Sequence, residues 1–100
     1  MLDFDTIVGF EWDNGNARKS VEKHAVSQAE AEQIFFNEPL LIADDELHSQ
    51  SEPRFHALGH TDEGRLLHLT FTVRQSGTRI RVISARAMSR KERAYYEEAN

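Results

Sequence analysis

Cysteine is absent from the chain, and its absence excludes several classes of protein. With no cysteine among 100 residues, disulfide bridges, thiolate metal sites and a cysteine nucleophile are ruled out. No apolar run approaches the roughly 18 residues that a membrane span needs, and the acidic start at Asp3 and Asp5 differs from a secretory signal. We therefore expect a cytoplasmic chain without membrane association. Its length predicts a single domain over residues 1–100.

Glycine is scarce, and its positions exclude the common nucleotide-binding folds. The five glycines form no phosphate-binding motif, so P-loop and Rossmann folds are not expected. No serine occupies a glycine elbow, which argues against a serine nucleophile. His56, His60 and His68 have no carboxylate or cysteine beside them at a recognised metal spacing. We expect neither a metal site nor a cofactor.

Basic residues are scarce in the first half of the chain and concentrated in the second. Residues 1–50 contain three Lys or Arg against eleven Asp or Glu, whereas residues 51–100 contain nine against six. Between Arg65 and Arg93, eight basic residues accompany one acid, Glu92. Such a split is typical of a surface that contacts a polyanion or an acidic partner. A solvated charged face is the simpler alternative.

Capping signals predict three helices. Asp13 is the expected N-cap of the first helix. Ser27 with Glu30, and Ser89 with Glu92, have the spacing of capping boxes at the start of two further helices. The expected helices cover residues 14–24, 28–38 and 90–98.

Four strand-like runs follow the second helix. Gly64 and Gly77 mark the turns between the last three runs, which favours an antiparallel meander. The predicted fold is therefore α+β, with two N-terminal helices, an antiparallel sheet of about four strands and a C-terminal helix, the helices packing on one face of the sheet. The expected strands cover residues 40–43, 54–60, 65–73 and 78–85.

Alternation along the predicted strands separates an apolar sheet face from a polar one. The polar face carries no acid in this prediction and is free of helices. Ile83 shares its parity with the arginines, so either a β-bulge or a covered end of the face is expected there. A solvent-exposed polar face is common in antiparallel sheets. Ordinary solvent exposure is therefore the simpler explanation of this face, and a functional surface is the alternative. The residues assigned to the polar face are Arg54, His56, His68, Thr70, Thr72, Arg79 and Arg81.

Short motifs along the chain resemble the BrnT family of toxins. The resemblance covers residues 10–98 in order, and the stretch Ile-Arg-Val-Ile-Ser-Ala-Arg is its most specific part. The chain departs from the family at three positions. Asn16 stands where a basic residue is common, Ser20 where asparagine is common, and Ala25 where glycine is common. The motifs are Phe10–Asp13, Lys23-His24, Arg54-Phe55, Leu58-Gly59, Gly64-Arg65, Ile80–Arg86, Ser89–Arg93 and Tyr96-Glu97.

The resemblance implies a RelE/ParE-like fold and the toxin half of a type II toxin–antitoxin pair. Toxins of this family are ribonucleases that halt translation. A BrnA-type antitoxin protein neutralises them and carries the DNA-binding domain, so contact with DNA is expected only through the antitoxin. RNA and a BrnA-like antitoxin are therefore the expected partners.

Metal-independent cleavage of RNA uses the 2′-hydroxyl as internal nucleophile. The protein then needs a cation for the phosphate oxygens, a proton acceptor and a proton donor. His68 is our choice for proton transfer from the residues alone, with His24 second. The resemblance adds Arg86 at the strand end, and either Tyr95 or Tyr96, as further catalytic candidates. The catalytic candidates are Arg81, Arg86, His68, Tyr95, Tyr96 and His24, and the candidate RNA contacts are Arg54, His56, Arg65, Arg79, Lys23, Arg90 and Lys91.

Two other functions are compatible with the same residues. An interaction module would bind an antitoxin and regulate transcription without cutting RNA, with the basic stretch docking an acidic segment. A ParE-like poison of DNA gyrase would share the fold but use different chemistry. Fold alone does not separate these functions, because function depends on the site.

Overall fold

The computed structural model describes residues 2–48 and 52–99, apart from the side chains of residues 19–23. Its helices are α1 (Asn14–His24), α2 (Gln28–Gln33) and α3 (Arg90–Glu98). Its strands are β1 (Gly9–Phe10), β2 (Leu41–Asp44), β3 (Arg54–His60), β4 (Leu66–Arg74) and β5 (Arg79–Ala87). Single 3₁₀ turns cover Phe4–Thr6, Ile34–Phe36 and Glu46–His48.

The sheet contains five strands in the order β1-β5-β4-β3-β2. Strands β2 to β5 form the expected antiparallel meander. The fifth strand, β1, pairs in parallel with the start of β5 through Gly9 and Phe10. Two residues are too few to show a period, so the sequence pattern predicted about four strands and did not reveal β1.

A β-bulge in β5 confirms the irregularity expected at Ile83. Thr70 pairs with Ser84 while its neighbour Phe71 pairs with Val82, which leaves Ile83 as the extra residue. The extra residue reverses the alternation, because successive side chains point to opposite faces. The bulge therefore sends Ala85 into the core and leaves the next residue of β5 on the polar face.

The core lies between one face of the sheet and the segment formed by α2 and the following 3₁₀ turn. The capping box predicted at Ser27 and Glu30 is present and opens α2. Ile34 is fully buried and lies so close to Gly59 that a Cβ there would come within 2.9 Å of the Ile34 Cβ. The buried apolar core comprises Val26, Ala31, Ile34, Phe55, Ala57, Leu67, Leu69, Phe71, Ile80, Val82 and Ala85.

The expectation that the helices share one sheet face is wrong for α3. Gly59 faces Ile34, so the next residue of β3, His60, points to the opposite face. His60 Nδ1 lies 2.8 Å from the hydroxyl of Tyr96, which belongs to α3. Tyr96 is buried and also donates to the Pro39 carbonyl. The third helix therefore covers one end of the face predicted to be free of helices.

Helix α1 lies along the edge of β5 beyond the short β1. Asp13 caps its start as predicted, since Asp13 Oδ1 accepts a 2.8 Å bond from the Gly15 amide. The buried Asn16 side chain donates to the carbonyls of Glu11 and Val82, each at 3.0 Å. Asn16, one of the departures from the family, therefore joins α1 to the edge of the sheet.

Candidate active site

Acidic side chains lie on the polar sheet face, contrary to the expectation of a face without acids. Arg81 makes two bonds to the Asp13 carboxylate, at 2.9 and 3.0 Å, and a third to Glu11 at 3.2 Å. Arg74 pairs with Glu52 at 3.0 Å. These acids come from the β1–α1 connection and the segment before β3, so alternation along single strands did not show them.

A cavity of about 490 Å³ opens on the same face, at the end covered by α3. It brings together four of the predicted site residues, from β3, β4, β5 and α3. Strand β2 and Leu58 add an apolar wall. The cavity is lined by Leu41, Ile42, Ala43, His56, Leu58, His68, Arg86, Glu92 and Tyr95.

Arg86 is held in a fixed orientation by Glu92. Its Nη1 and Nη2 donate to the two carboxylate oxygens at 2.8 and 2.9 Å, and Nη1 also donates to the Ala87 carbonyl at 3.1 Å. Glu92 accepts a bond from the Ser89 amide as well, which completes the predicted capping box of α3. The Arg86 bonds lower the pKa of Glu92 to about 2 against an opposing effect of burial, and the pKa of Arg86 is raised by the same pair. Both groups are therefore charged at neutral pH.

His68 lies next to this pair and is largely buried. It is the register partner of Arg86 on the neighbouring strand, and its Nε2 is 4.0 Å from Glu92 Oε2. The buried Nδ1 has no hydrogen-bond partner among the described residues. Burial, followed by the positive charge of Arg86, lowers the pKa of His68 below its usual 6.5. The imidazole is therefore neutral at physiological pH and suited to accept a proton.

His56 lies beside His68, with 5.0 Å between the ring centroids. Its Nε2 is 3.1 Å from the buried carboxylate of Asp45, and its Nδ1 is 3.2 Å from the Thr70 hydroxyl. Both ring nitrogens are thus engaged within the protein. The ring of His56 is therefore held by Asp45 and Thr70 beside the ring of His68.

The two adjacent tyrosines of α3 point in different directions, as their spacing requires. Tyr95 is 65% exposed and lines the cavity. Tyr96 is 2% exposed, and burial raises the pKa of its hydroxyl. Among the two tyrosines predicted as catalytic candidates, the structure brings Tyr95 to the cavity and uses Tyr96 for packing.

Two further candidates, Arg65 and His24, lie away from the cavity and meet each other. Arg65 Nη1 donates to the Ala25 carbonyl at 2.9 Å, and Nη2 donates to the His24 carbonyl at 3.3 Å. Arg65 also pairs with Glu30 at 3.0 Å. The guanidinium thus links the end of α1 to the start of α2 through these bonds.

The remaining candidate RNA contacts are spread over the surface. Arg54 lies at the start of β3, opposite Thr72, and the exposed Arg79 lies across Gly9 at the far end of β5. Lys91 is exposed on α3 and lines a shallow depression shared with Leu58 and Tyr95. Arg90 is exposed on the same helix, and the side chain of Lys23 lies outside the described part of the chain.

Sequence reasoning missed two acids of this site. The spacing predicts only a capping role for Glu92, and no local pattern marks Asp45. A Ser-x-x-Glu spacing shows that Glu92 reaches back to its own helix, but not that it faces an arginine on a strand. Within residues 2–48 and 52–99, no group of three or more His, Asp or Glu could hold a metal ion. Nor does this part of the chain contain a helix long and apolar enough to cross a bilayer.

The comparison with protein families confirms the resemblance drawn from the motifs. The model of the family described as the ribonuclease toxin, BrnT, of type II toxin–antitoxin systems matches residues 12–92. No curated protein matches the chain. The family match spans well over half of the chain and includes the four strands, the bulge and the Arg86–Glu92 pair on which the cavity depends. The chain therefore belongs to the BrnT family of type II toxin–antitoxin ribonuclease toxins.

Proposed function

We propose that the protein is a metal-independent ribonuclease whose reaction takes place in the cavity between the sheet and α3. The observation that carries the proposal is the pairing of a neutral His68 with a fully charged Arg86 on adjacent strands. A proton acceptor beside a phosphate-binding cation is what attack by a 2′-hydroxyl requires. The α+β architecture is compatible with the RelE/ParE-like fold that the resemblance implies, and we propose that fold as part of the same assignment.

Arg86 has one edge available for the scissile phosphate. Glu92 takes one hydrogen from each Nη, and Ala87 takes the second hydrogen of Nη1. The Nε and the remaining Nη2 hydrogen have no partner among the described residues. These two donors form a parallel fork that matches two phosphate oxygens. Glu92 is therefore a positioning residue: it fixes the orientation of Arg86 and leaves the Nε–Nη2 edge available to bind RNA.

Proton transfer follows from the same geometry. The imidazole of His68 takes the proton of the attacking 2′-hydroxyl, and the leaving 5′ oxygen needs a proton in return. Tyr95 lines the cavity, and its hydroxyl is the proposed donor. In this scheme Arg81 has a structural part, since its guanidinium is bound to Asp13 and Glu11.

A second surface fits the antitoxin that a type II toxin implies. Phe4, Val8 and Phe36 are exposed, Phe36 by 78%, and they border an apolar cavity beside β1. Exposed apolar patches of this kind mark protein interfaces. We propose that a BrnA-type antitoxin covers this patch. Phe36→Asp should weaken co-purification with the cognate antitoxin and leave RNA cleavage unchanged.

The ribonuclease proposal is tested by comparing three variants of the purified protein on RNA in the presence of EDTA. Removing a general base or a charge-stabilising donor typically lowers the rate by about 10²–10³-fold or more, so His68→Ala and Arg86→Ala should both do so. Arg93→Ala is the matched control, since Arg93 is exposed on α3 outside the cavity. Full activity of both cavity variants would contradict the placement of the site. Intact RNA with folded wild-type protein would favour the interaction module, and DNA breaks with gyrase would favour the gyrase poison.

A further inference from the structure

We propose that the apolar half of the cavity is a binding site for a nucleobase, namely the base of the nucleotide whose 2′-hydroxyl attacks. The inference rests on the proposed function and adds a substrate subsite to it. The base would lie over Leu58 and Leu41 and stack against the ring of Tyr95.

The register of four strands places the required side chains in one row. Leu41 pairs with Leu58, Leu58 with His68, and His68 with Arg86. Neighbouring strands are about 4.8 Å apart, so these four residues cross the sheet in equal steps. The order along the row is cation, imidazole, then two apolar side chains. It follows the order of phosphate, ribose hydroxyl and base along a nucleotide.

Tyr95 supplies the second wall of this subsite. Tyr95 lines both the main cavity and the shallow depression next to it, and Leu58 lines both as well. Tyr95 and Leu58 therefore both border the apolar half of the cavity. Aromatic rings that are open to solvent are the usual stacking platforms for unpaired bases.

The mixed character of the cavity favours a nucleotide over an apolar peptide. His68, Arg86 and Glu92 come from β4, β5 and α3, whereas Leu58 and Leu41 come from β3 and β2 at the other end of the row. A nucleotide presents a charged phosphate and a flat base at opposite ends, which matches this division. The volume of about 490 Å³ falls within the range of small-molecule sites.

The test compares the binding of inorganic phosphate with that of the four 3′-nucleoside monophosphates, measured on the full chain by calorimetry. The nucleotides carry the base and the phosphate together, so at least one should bind about tenfold more tightly than phosphate or better. Tyr95→Ala should remove this difference, because the stacking ring is lost from an exposed helix position. Tyr95→Phe keeps the ring and should retain it, and Phe36→Ala is the control for truncation of an exposed aromatic ring elsewhere.

The outcomes separate this site from the proposed function. If no nucleotide binds more tightly than phosphate, or if Tyr95→Ala binds nucleotides as the wild type does, the base site is overturned even when RNA is cleaved. If nucleotides bind preferentially through Tyr95 while RNA stays intact, the base site stands and the ribonuclease proposal fails.

Discussion

The protonation state of His68 is set by opposing influences. Burial and Arg86 lower its pKa, whereas the Glu92 carboxylate raises it. The proposed mechanism needs the neutral imidazole, so kcat/KM should rise with pH through the lowered pKa of His68 and level off once the imidazole is deprotonated. This acidic limb belongs to the free enzyme.

Glu92→Gln should therefore move the acidic limb of the kcat/KM profile to lower pH. The substitution removes the one negative charge that raises the pKa of His68, so the imidazole stays neutral in more acidic solution. Glu97→Gln, an exposed acid on the same helix, should leave the limb in place. A shift to higher pH in Glu92→Gln would contradict the assignment of His68 as the proton acceptor.

Ala25 adopts a backbone conformation that favours glycine, the residue that the resemblance leads us to expect at this position. Its φ is 53°, directly after the end of α1. A left-handed conformation costs an L-residue roughly 1–2 kcal/mol. Glycine avoids this cost, but part of the gain in stability is lost because glycine makes the unfolded chain more flexible. Ala25→Gly should raise the free energy of unfolding by up to about 1 kcal/mol in urea titrations. Ala94→Gly, inside α3, should lower it by about 1 kcal/mol, and a loss of stability in Ala25→Gly would refute the strain argument.

The sequence placed individual side chains on the correct sheet face but did not reveal their partners. Period-2 alternation put His56, His68 and Arg81 outward, and the structure agrees. The partners Asp13 and Asp45 come from loops, which have no period to read. Their approach depends on tertiary packing, which local pattern does not encode.

At the scale of elements, Arg65 joins two helices from which β2 and β3 separate it along the chain. Its guanidinium donates to the carbonyl of His24, the last residue of α1, to the carbonyl of the following Ala25, and to the capping Glu30 of α2. Terminal helix carbonyls otherwise lack partners, and a cation there also complements the helix dipole.

Arg65→Ala should lower the free energy of unfolding by about 1–2 kcal/mol, because hydrogen bonds to a charged group are lost. The rate of RNA cleavage by the folded variant should stay near the wild-type value. Chemical denaturation and a cleavage assay on the same preparation measure both. Arg93→Ala is the control, and an Arg65→Ala variant of full stability but impaired cleavage would restore Arg65 as an RNA contact.

Local signals predicted the elements well where each element carries its own cap or turn. Both capping boxes, the Asp13 cap and the β-bulge were readable because they involve residues within a few positions of one another. Local signals did not predict strand β1 or the sheet face on which α3 packs. Parallel pairing of two residues and the packing of α3 through Tyr96 depend on contacts between distant segments.

At the scale of the whole molecule, the opposite charges of the two chain halves meet in the fold. Arg81 pairs with Asp13 and Arg65 with Glu30, each bond joining a basic residue of the second half to an acid of the first. The charge split that suggested a polyanion surface is thus partly explained by pairing within the chain. The RNA site that we propose is a small one at Arg86, with Lys91 beside its mouth.

The central claim is that this chain cleaves RNA without a metal ion, by attack of the RNA's own 2′-hydroxyl on the neighbouring phosphate. The most direct measurement is the chemistry of the product ends after digestion in EDTA, with a matched substrate carrying a single 2′-deoxynucleotide at a mapped cleavage site. The account predicts 2′,3′-cyclic phosphate and 5′-hydroxyl ends, and no cleavage at the deoxy position. Products with 5′-phosphate ends, or cleavage that proceeds at the deoxy position, would contradict it.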